Sequence, residues 1–322
     1  MRDTLRPSRR GFLAAAAACG AGLLTAGRLQ AQPFRTTLHK AMIGKPVEET
    51  LVALKQAGFE GMESNRWDVS PQEAAAARKV AEKVGMRLHS VMFGWANFNS
   101  PNSGQVAKDL ANVETALKAA QAYGAETVLL VPCRVSGMPI PKPWEFDVDL
   151  DEKTGHVQRV VKGDNSKYQA YIEAQNLATD TSRKAVQKLI PVAEKAGVMI
   201  ALENVWNNLW VLPKLQAQWV GSFASPWVRA YFDIGNHVKY APPQDWVHAL
   251  GKLIVKCHVK DFKLNPDGHD GTWAHPRDGS IQWPAVRKAL DDVGYNGWLS
   301  IEDGGLPLAD FSHRLDLIIA GK

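Results

Sequence analysis

One local pattern recurs along this chain and restricts its fold more than any other feature. An amphipathic, helix-like segment ends at a Gly, and a run rich in apolar and β-branched residues follows at once. The glycines that end these segments are Gly58, Gly85, Gly124, Gly197 and Gly294. Because Gly tolerates the left-handed conformation that closes a helix, each copy predicts a helix that leads into a strand.

Together with the intervening segments, this pattern gives eight strand–helix units. The predicted strands cover 36–43, 59–64, 86–93, 125–132, 198–205, 228–234, 254–261 and 295–302. The predicted helices lie near 46–57, 70–84, 103–123, 168–196, 212–223, 242–253, 282–293 and 307–320. Eight alternating units in about 290 residues predict an α/β fold, a (β/α)8 TIM barrel in a single domain. A doubly wound open sheet is the alternative, but no Gly-rich nucleotide loop follows the first strand.

Two of the predicted loops are long. Residues 134–167 follow the fourth strand and are rich in Pro, Asp, Gly and Lys, and residues 263–281 follow the seventh strand. Loops longer than about 12–15 residues in a compact domain are usually functional lids or disordered segments. Both loops would lie at the C-terminal ends of the barrel strands, where the active sites of this fold occur.

The first 31 residues differ from the rest of the chain. Four arginines within the first ten residues precede an apolar run over 11–27, and small residues follow it. This is the pattern of a signal peptide, and the run is shorter than the ~20 residues that a spanning helix needs. We therefore expect residues 1–31 to be a cleaved signal peptide and residues 32–322 to form the barrel.

The segment 8–13, with Arg9 and Arg10 at its centre, looks like a twin-arginine signal. It predicts the twin-arginine export machinery as a partner and a periplasmic or secreted location. A membrane anchor is the alternative reading, with Cys19 as a lipidation site. Because the apolar run before Cys19 is very short, cleavage without a stable membrane anchor is favoured.

Net charge argues against a nucleic-acid partner. The whole chain carries 38 basic and 33 acidic side chains, a formal charge of +5. Residues 1–31 hold five of the basic residues and one acid, so the remainder has 33 basic and 32 acidic side chains, a charge of +1. No basic field remains to attract a polyanion. Cys133 and Cys257 lie on strands expected far apart, which predicts two buried thiols and no disulfide.

The predicted strands five to eight each present one metal-ligand side chain near their C-terminal end. These side chains are Glu203, Asp233, His258 and Glu302. Neighbouring parallel strands lie ~4.8 Å apart, so side chains at matching heights converge on one small volume. Three unpaired carboxylates there would repel one another, and a divalent cation removes that cost. Three carboxylates and an imidazole favour Mn²⁺, with Mg²⁺, Co²⁺ or Zn²⁺ as alternatives.

The chain resembles the xylose isomerase-like TIM-barrel superfamily of sugar isomerases and epimerases. The segments that carry the resemblance are 173–176, 200–207, 232–236, 258–261 and 299–303. The resemblance implies that Glu203, Asp233, His258 and Glu302 bind one divalent metal ion. It also implies that Glu203 and Glu302 act as the catalytic acid–base pair.

One position departs from the family pattern. Ketose 3-epimerases of this superfamily often carry His three residues after the metal-binding Asp, where this chain has Asn236 and then His237. The remaining candidates for substrate contact are Glu63, His89, Trp206, Lys260 and Arg277. For Glu63 and His89 the alternative role is support of the metal ligands. Lys260 could instead pair with Asp261, and Arg277 could be an exposed loop residue.

Aromatic residues of the predicted strand-to-helix loops suit a sugar partner. Sugar C–H faces pack well on indole rings, and the indole N–H can donate to a hydroxyl, although structural packing beneath the loops is an equal alternative for each ring. These tryptophans are Trp67, Trp95, Trp144, Trp206, Trp210 and Trp273.

The function predicted from these features is a metal-dependent isomerase or epimerase of an unphosphorylated keto sugar, with a homo-oligomer as a candidate assembly. A proton would leave the carbon next to the carbonyl, and metal would stabilise the resulting enediolate. A lyase that cleaves 3-keto glycosides by the same proton abstraction is the first alternative. An endonuclease of the abasic-site type and a non-catalytic sugar-binding protein are weaker alternatives, because the first uses more histidines and the second needs no acid–base pair.

Overall fold

Eight parallel strands close into a barrel within residues 34–322, the part of the chain that the computed structural model describes. The barrel strands follow one another around the ring in chain order, and the last pairs with the first. The closed ring excludes the doubly wound open sheet. The predicted signal peptide, its boundary and Cys19 lie outside the described residues.

The barrel strands match the eight predicted ones. They are β1 (Leu38–Gly44), β2 (Gly61–Ser64), β3 (Arg87–Trp95), β4 (Thr127–Val131), β7 (Met199–Glu203), β8 (Val228–Asp233), β9 (Ile254–Val259) and β12 (Gly297–Ile301). The helices are α1 (Glu48–Gln56), α2 (Pro71–Lys83), α3 (Ser103–Tyr123), α4 (Gln169–Ala196), α5 (Pro213–Gly221), α6 (Pro243–Leu250), α7 (Trp283–Asp292) and α8 (Leu308–Ile319). Predicted and observed bounds differ by a few residues at most.

The helix ends follow the chemistry that the sequence indicated. Gly124 and Gly197 close α3 and α4 in the left-handed conformation, with φ of 72° and 67°. Ser70 begins α2 in a capping box with Glu73, in which each side chain bonds the other residue's backbone N–H. Local sequence therefore defines where these helices begin and end.

Apolar side chains fill the space between the strands and the helices, and a second, smaller cluster lies inside the barrel. That inner cluster consists of Leu129, Val131, Ala201 and Tyr231, all at most 1% exposed. Cys133 and Cys257 are buried free thiols, as predicted. In residues 34–322 no helix has the length and apolar composition needed to cross a bilayer.

Both long loops fold into antiparallel hairpins, which the sequence interpretation did not predict. The loop after β4 contains β5 (Phe146–Leu150) and β6 (Val157–Val161), and the loop after β9 contains β10 (Asp261–Leu264) and β11 (Gly271–Ala274). The predicted seventh strand therefore ends too late, since Asp261 already belongs to a hairpin.

The two hairpin loops meet above the barrel. The indole of Trp144, just before β5, stacks on the imidazole of His269 between β10 and β11, with ring centres 4.1 Å apart. Phe146 packs edge-on against Tyr240 in the loop after β8, and Lys239 lies 4.0 Å from Asp270. We call this contact between the loops the bridge; it joins the loops after β4 and β9, and β7 and β8 lie between those two strands in the barrel.

Candidate metal centre

Glu203, Asp233, His258 and Glu302 converge at the C-terminal mouth of the barrel. Each offers one ligand atom, and all four atoms lie within 4.8 Å of one another. Nδ1 of His258 lies 3.0 Å from both Glu203 Oε1 and Glu302 Oε2, and 3.8 Å from Asp233 Oδ2. The structure thus brings the four predicted ligands together, while their roles remain predictions.

The ends of four neighbouring strands position these side chains. Glu203 and Asp233 are the last residues of β7 and β8, and His258 is directly opposite Asp233 in the β8–β9 register. Glu302 follows β12, and its backbone N–H donates to the carbonyl of Val259 at 3.1 Å. Three of the four side chains are buried, whereas that of Glu302 is 35% exposed.

Asn204 joins the ends of β7 and β8, a role the sequence interpretation did not assign. Its Nδ2 donates to the carbonyl of Asp233, and its Oδ1 accepts the Asp233 backbone N–H, both at 2.8 Å. Asp233 Oδ1 in turn accepts the backbone N–H groups of Gly235 and Asn236 at 2.8 and 2.7 Å. Asp233 therefore presents Oδ2 to the centre in a fixed direction.

Glu63 fixes the imidazole of His258 from below. Nε2 of His258 donates to Glu63 Oε2 at 2.6 Å, and the hydroxyls of Tyr231 and Ser90 donate to the same carboxylate at 2.8 and 2.9 Å. Glu63 is fully buried. Its position fits the alternative role, support of His258, and its predicted contact with substrate stays a prediction.

The electrostatics of the centre separate the two glutamates. Burial raises the pKa of Glu203. Burial acts in the same direction on Glu302, but His258 and Lys260 outweigh it and hold the pKa of Glu302 well below its usual range. Burial raises the pKa of Asp233 to about 7, against the opposing effect of Lys260.

The residues present fit a divalent cation. Asp233 Oδ2 and Glu302 Oε2 are buried oxygens that make no well-aligned hydrogen bond. Buried carboxylate oxygens need such partners or a cation. The His258 Nε2–H bond to Glu63 leaves Nδ1 facing these oxygens, as in the carboxylate–histidine–metal arrangement. Three carboxylates and one imidazole suit Mn²⁺, Mg²⁺, Co²⁺ or Zn²⁺.

Lys260 borders the centre. Nζ of Lys260 lies 2.7 Å from Glu302 Oε2 and 3.1 Å from Asp233 Oδ2. The alternative pairing with Asp261 is wrong, because the Asp261 carboxylate instead accepts from Trp283 Nε1 and from backbone N–H groups of its own loop. Because Lys260 and Asp261 are neighbours in an extended stretch of chain, their side chains point to opposite sides.

The rings of Trp206 and Trp273 form an aromatic wall beside the centre. Their centres are 4.8 Å apart, and Trp206 Nε1 donates to the carbonyl of Asn236. Lys239 Nζ lies 3.6 Å from the Trp206 ring centre, and Trp273 is 48% exposed. The wall therefore offers an open indole face next to the ligands.

Three other predicted substrate contacts are not supported by their positions. His89 is fully buried, bonded to Ser300 and stacked on Trp298. His237 is 2% exposed, and its Nε2 donates to the carbonyl of Val205 at 3.0 Å. Arg277 is exposed, with a φ of 77°. Both histidines are thus buried and bonded within the fold, and Arg277 is exposed in its loop. Their predicted contacts with substrate stay predictions.

Asn236 lies at the mouth but is already engaged. It is 4% exposed, its Nδ2 donates to the carbonyl of Asn204 at 2.9 Å, and its Oδ1 accepts from Lys260 Nζ at 3.3 Å. Asn236 thus links β7, the loop after β8 and Lys260. Its predicted contact with substrate stays a prediction.

Solved structures with the same fold include enzymes that act on sugars. The chain aligns with a 3-keto-D-glucoside 4-epimerase from E. coli at a TM-score of 0.64 and 12% identity, over 89% of this chain and 100% of that one. It aligns with a D-psicose 3-epimerase, solved in the presence of D-fructose, at a TM-score of 0.63 and 15% identity, over 88% and 100%. It aligns with an IolI protein that has a bound zinc atom at a TM-score of 0.65 and 14% identity, over 88% of this chain and 98% of that one. At these identities the likeness shows the fold.

Sequence comparison identifies the family. The uncharacterised protein MJ1311 of Methanocaldococcus jannaschii is 28% identical over 130 residues, which is 38% of this chain and 43% of that protein. The aligned region thus spans less than half the length of that relative. The sequence profile described as "Xylose isomerase-like TIM barrel" matches residues 51–314, most of the barrel. The chain belongs to the xylose isomerase-like TIM barrel family.

Proposed function

We propose that this protein is a metal-dependent isomerase or epimerase of an unphosphorylated keto sugar. The observation that carries the proposal is the convergence of Glu203, Asp233, His258 and Glu302 within 4.8 Å at the barrel mouth. The sugar epimerases among the solved structures of this fold support the same class of reaction.

The two glutamates are the proposed acid–base pair. Glu203 is 7% exposed and Glu302 is 35% exposed, so they face the mouth from environments of different polarity. One carboxylate removes the proton next to the carbonyl, and the other returns a proton to the opposite face or to the adjacent carbon. A divalent cation bound by the four side chains supplies Lewis-acid polarisation of the carbonyl. Mn²⁺ remains the favoured ion.

The aromatic wall of Trp206 and Trp273 supports a sugar as the substrate. The 48% exposed indole of Trp273 offers a flat apolar face for sugar C–H groups beside the ligands. Lys260 Nζ, 5.2 Å from the Trp273 ring centre, can donate to a sugar oxygen from the same side.

Hydrogen exchange in D₂O tests the reaction. The purified protein is incubated with Mn²⁺ and a panel of ketoses and keto glycosides, and deuterium is located by NMR. Label at C3 with inverted stereochemistry supports an epimerase, and label at C1 or C2 supports an isomerase. Glu203→Gln and Glu302→Gln should each abolish exchange. The control Glu60→Gln, whose carboxylate pairs with His39 on the surface, should exchange normally. No exchange with any substrate in the wild type would contradict the proposal.

A lyase acting on 3-keto glycosides is the second candidate. Trp95 is the last residue of β3, Trp144 lies in the loop after β4, and their side chains are 45% and 42% exposed, which offers contact surface beyond a single sugar ring. The same α-proton abstraction would then expel the glycosidic oxygen and leave an unsaturated sugar. Release of a chromogenic aglycone by the wild type, absent in Glu302→Gln, distinguishes this reaction from epimerisation.

We propose that the protein is exported by the twin-arginine route and acts in the periplasm or outside the cell. The support is the basic and apolar sequence of residues 1–31. Exchanging Arg9 and Arg10 together for Lys should retain the protein in the cytoplasmic fraction, whereas the control Arg28→Lys should still be exported. Export of the double variant would contradict this route.

A further inference from the structure

Lys260 lies against the same carboxylates that are proposed to bind the metal. Its Nζ is 2.7 Å from Glu302 Oε2 and 3.1 Å from Asp233 Oδ2, and the side chain is 15% exposed. Both are buried carboxylate oxygens that make no well-aligned hydrogen bond. The ammonium thus forms ion pairs with both oxygens, and it also donates a hydrogen bond to Asn236 Oδ1 at 3.3 Å.

Backbone packing fixes the stem of Lys260 and leaves only its end free to move. A Cβ at Gly235 would lie 2.5 Å from Lys260 Cγ and 2.9 Å from the Lys260 carbonyl oxygen, so Gly235 is required for this close approach. The ammonium has two further neighbours, Asn236 Oδ1 at 3.3 Å and the Trp273 ring centre at 5.2 Å. A swing of the chain end about a fixed stem would bring it to the indole.

We propose that Lys260 is an internal counter-cation of the metal centre, which balances Asp233 and Glu302 until a divalent cation binds and is then displaced toward Trp273. The inference rests on the metal site of the proposed function. Two cations that share the same two carboxylate oxygens repel each other strongly in a buried site. Metal binding therefore works against the ion pairs of Lys260, and it turns the ammonium toward the aromatic wall where a sugar would lie.

Removing this charge should strengthen metal binding. Lys260→Met keeps the packed stem at Gly235 and deletes the ammonium. We expect it to bind Mn²⁺ at least tenfold more tightly than the wild type, as measured by calorimetric titration of the purified protein with MnCl₂. Without Mn²⁺ its melting temperature should be lower than that of the wild type, because three carboxylates then lack a cation.

Two variants make the test specific. Lys239→Met removes a lysine that is also 15% exposed but contacts Trp206 and Asp270 instead of the ligands, so its Mn²⁺ affinity should stay within about twofold of the wild type. Lys260→Arg keeps the charge and should retain wild-type affinity. Lys260→Gln is neutral and polar, and it replaces Lys260→Met in the test if that variant does not fold. It should also bind Mn²⁺ more tightly than the wild type.

The outcomes separate this inference from the proposed function. Wild-type protein that binds Mn²⁺ while the neutral Lys260 variants bind it equally or more weakly would overturn the counter-cation role and leave the metal site standing. Wild-type protein that binds no divalent ion would overturn both. Only tighter Mn²⁺ binding by the neutral variants supports the inference. If Lys260 merely positioned the ligands, its removal would weaken Mn²⁺ binding.

Discussion

Replacing Glu63 by Gln changes one buried atom and tests how the imidazole of His258 is held. The Glu63 carboxylate accepts from His258 Nε2 and from two hydroxyls, and an amide cannot satisfy all three donors. We expect Glu63→Gln to bind Mn²⁺ about 10–100-fold more weakly than the wild type, in calorimetric titration. Glu60→Gln, on the surface, is the control. Equal affinity in Glu63→Gln would show that this contact does not orient the ligand.

His237 should make the fold sensitive to acid. Burial lowers the pKa of His237 to about 3, against the opposing effect of its bond to the Val205 carbonyl. The unfolded chain has an ordinary His pKa near 6.5, so it takes up the proton first as the pH falls. The free energy of unfolding should therefore decline by about 1.4 kcal/mol per pH unit from this residue between pH 6.5 and about 3.

Denaturant unfolding of the wild type and His237→Gln between pH 7 and 4 measures this effect. Gln can still donate to the Val205 carbonyl but does not titrate, so the variant should lose less stability across the range. Parallel pH profiles for the two proteins would mean that His237 is not held neutral in the fold.

At the level of single residues, sequence reasoning located the four converging side chains better than the residues that hold them in place. Glu203, Asp233, His258 and Glu302 could be predicted because each ends an apolar strand, and strand ends share one edge of the barrel. Asn204 could have been suspected from its place directly after Glu203. The contact of Glu63 with His258 joins residues 195 positions apart, and no local pattern specifies such a pairing.

At the level of secondary structure, the repeated units could be predicted and the inserted hairpins could not. Helix stops such as Gly124 and Gly197 depend on local backbone chemistry and are visible in the sequence. Residues 146–150 do alternate apolar and acidic side chains, a strand signal that the surrounding Pro, Asp and Gly obscured. The strands β10 and β11 have four residues each, too few for a clear period.

Gly279 should be essential for the position of the β10–β11 hairpin. A Cβ there would lie 2.0 Å from Asp261 Oδ1, and that carboxylate anchors the loop through Trp283 Nε1 and several backbone N–H groups. We expect Gly279→Ala to expose the loop to limited proteolysis and to lower the melting temperature by several degrees, with far-UV circular dichroism nearly unchanged. Gly304→Ala, with no atom within 4 Å of the added Cβ, is the control. Equal protease resistance in both variants would contradict the anchoring role.

For the whole molecule, metal binding should increase the free energy of unfolding. Ligands that converge from β7, β8, β9 and β12 join half of the barrel strands, so a cation bound there favours the folded state by mass action. At a free Mn²⁺ concentration of 100 times Kd the gain is about 2.7 kcal/mol. Scanning calorimetry with MnCl₂ or with EDTA should therefore give a higher melting temperature with metal.

The four ligand residues supply the control for that measurement. Asp233→Asn should remove most of the metal-dependent shift, because it weakens the ligand that Asn204 and two backbone N–H groups hold in place. A shift of the same size in this variant would mean that Mn²⁺ stabilises the protein from another site.

The bridge between Trp144 and His269 gives the barrel mouth one closed side and one open side. It joins the loops after β4 and β9 and also contacts the loop after β8, whereas the loops after β12, β1 and β2 carry no hairpin. A molecule would then approach from the flank of Glu302, the more exposed of the two glutamates. Reactant entry would be lateral, from the side of the barrel whose loops carry no hairpin.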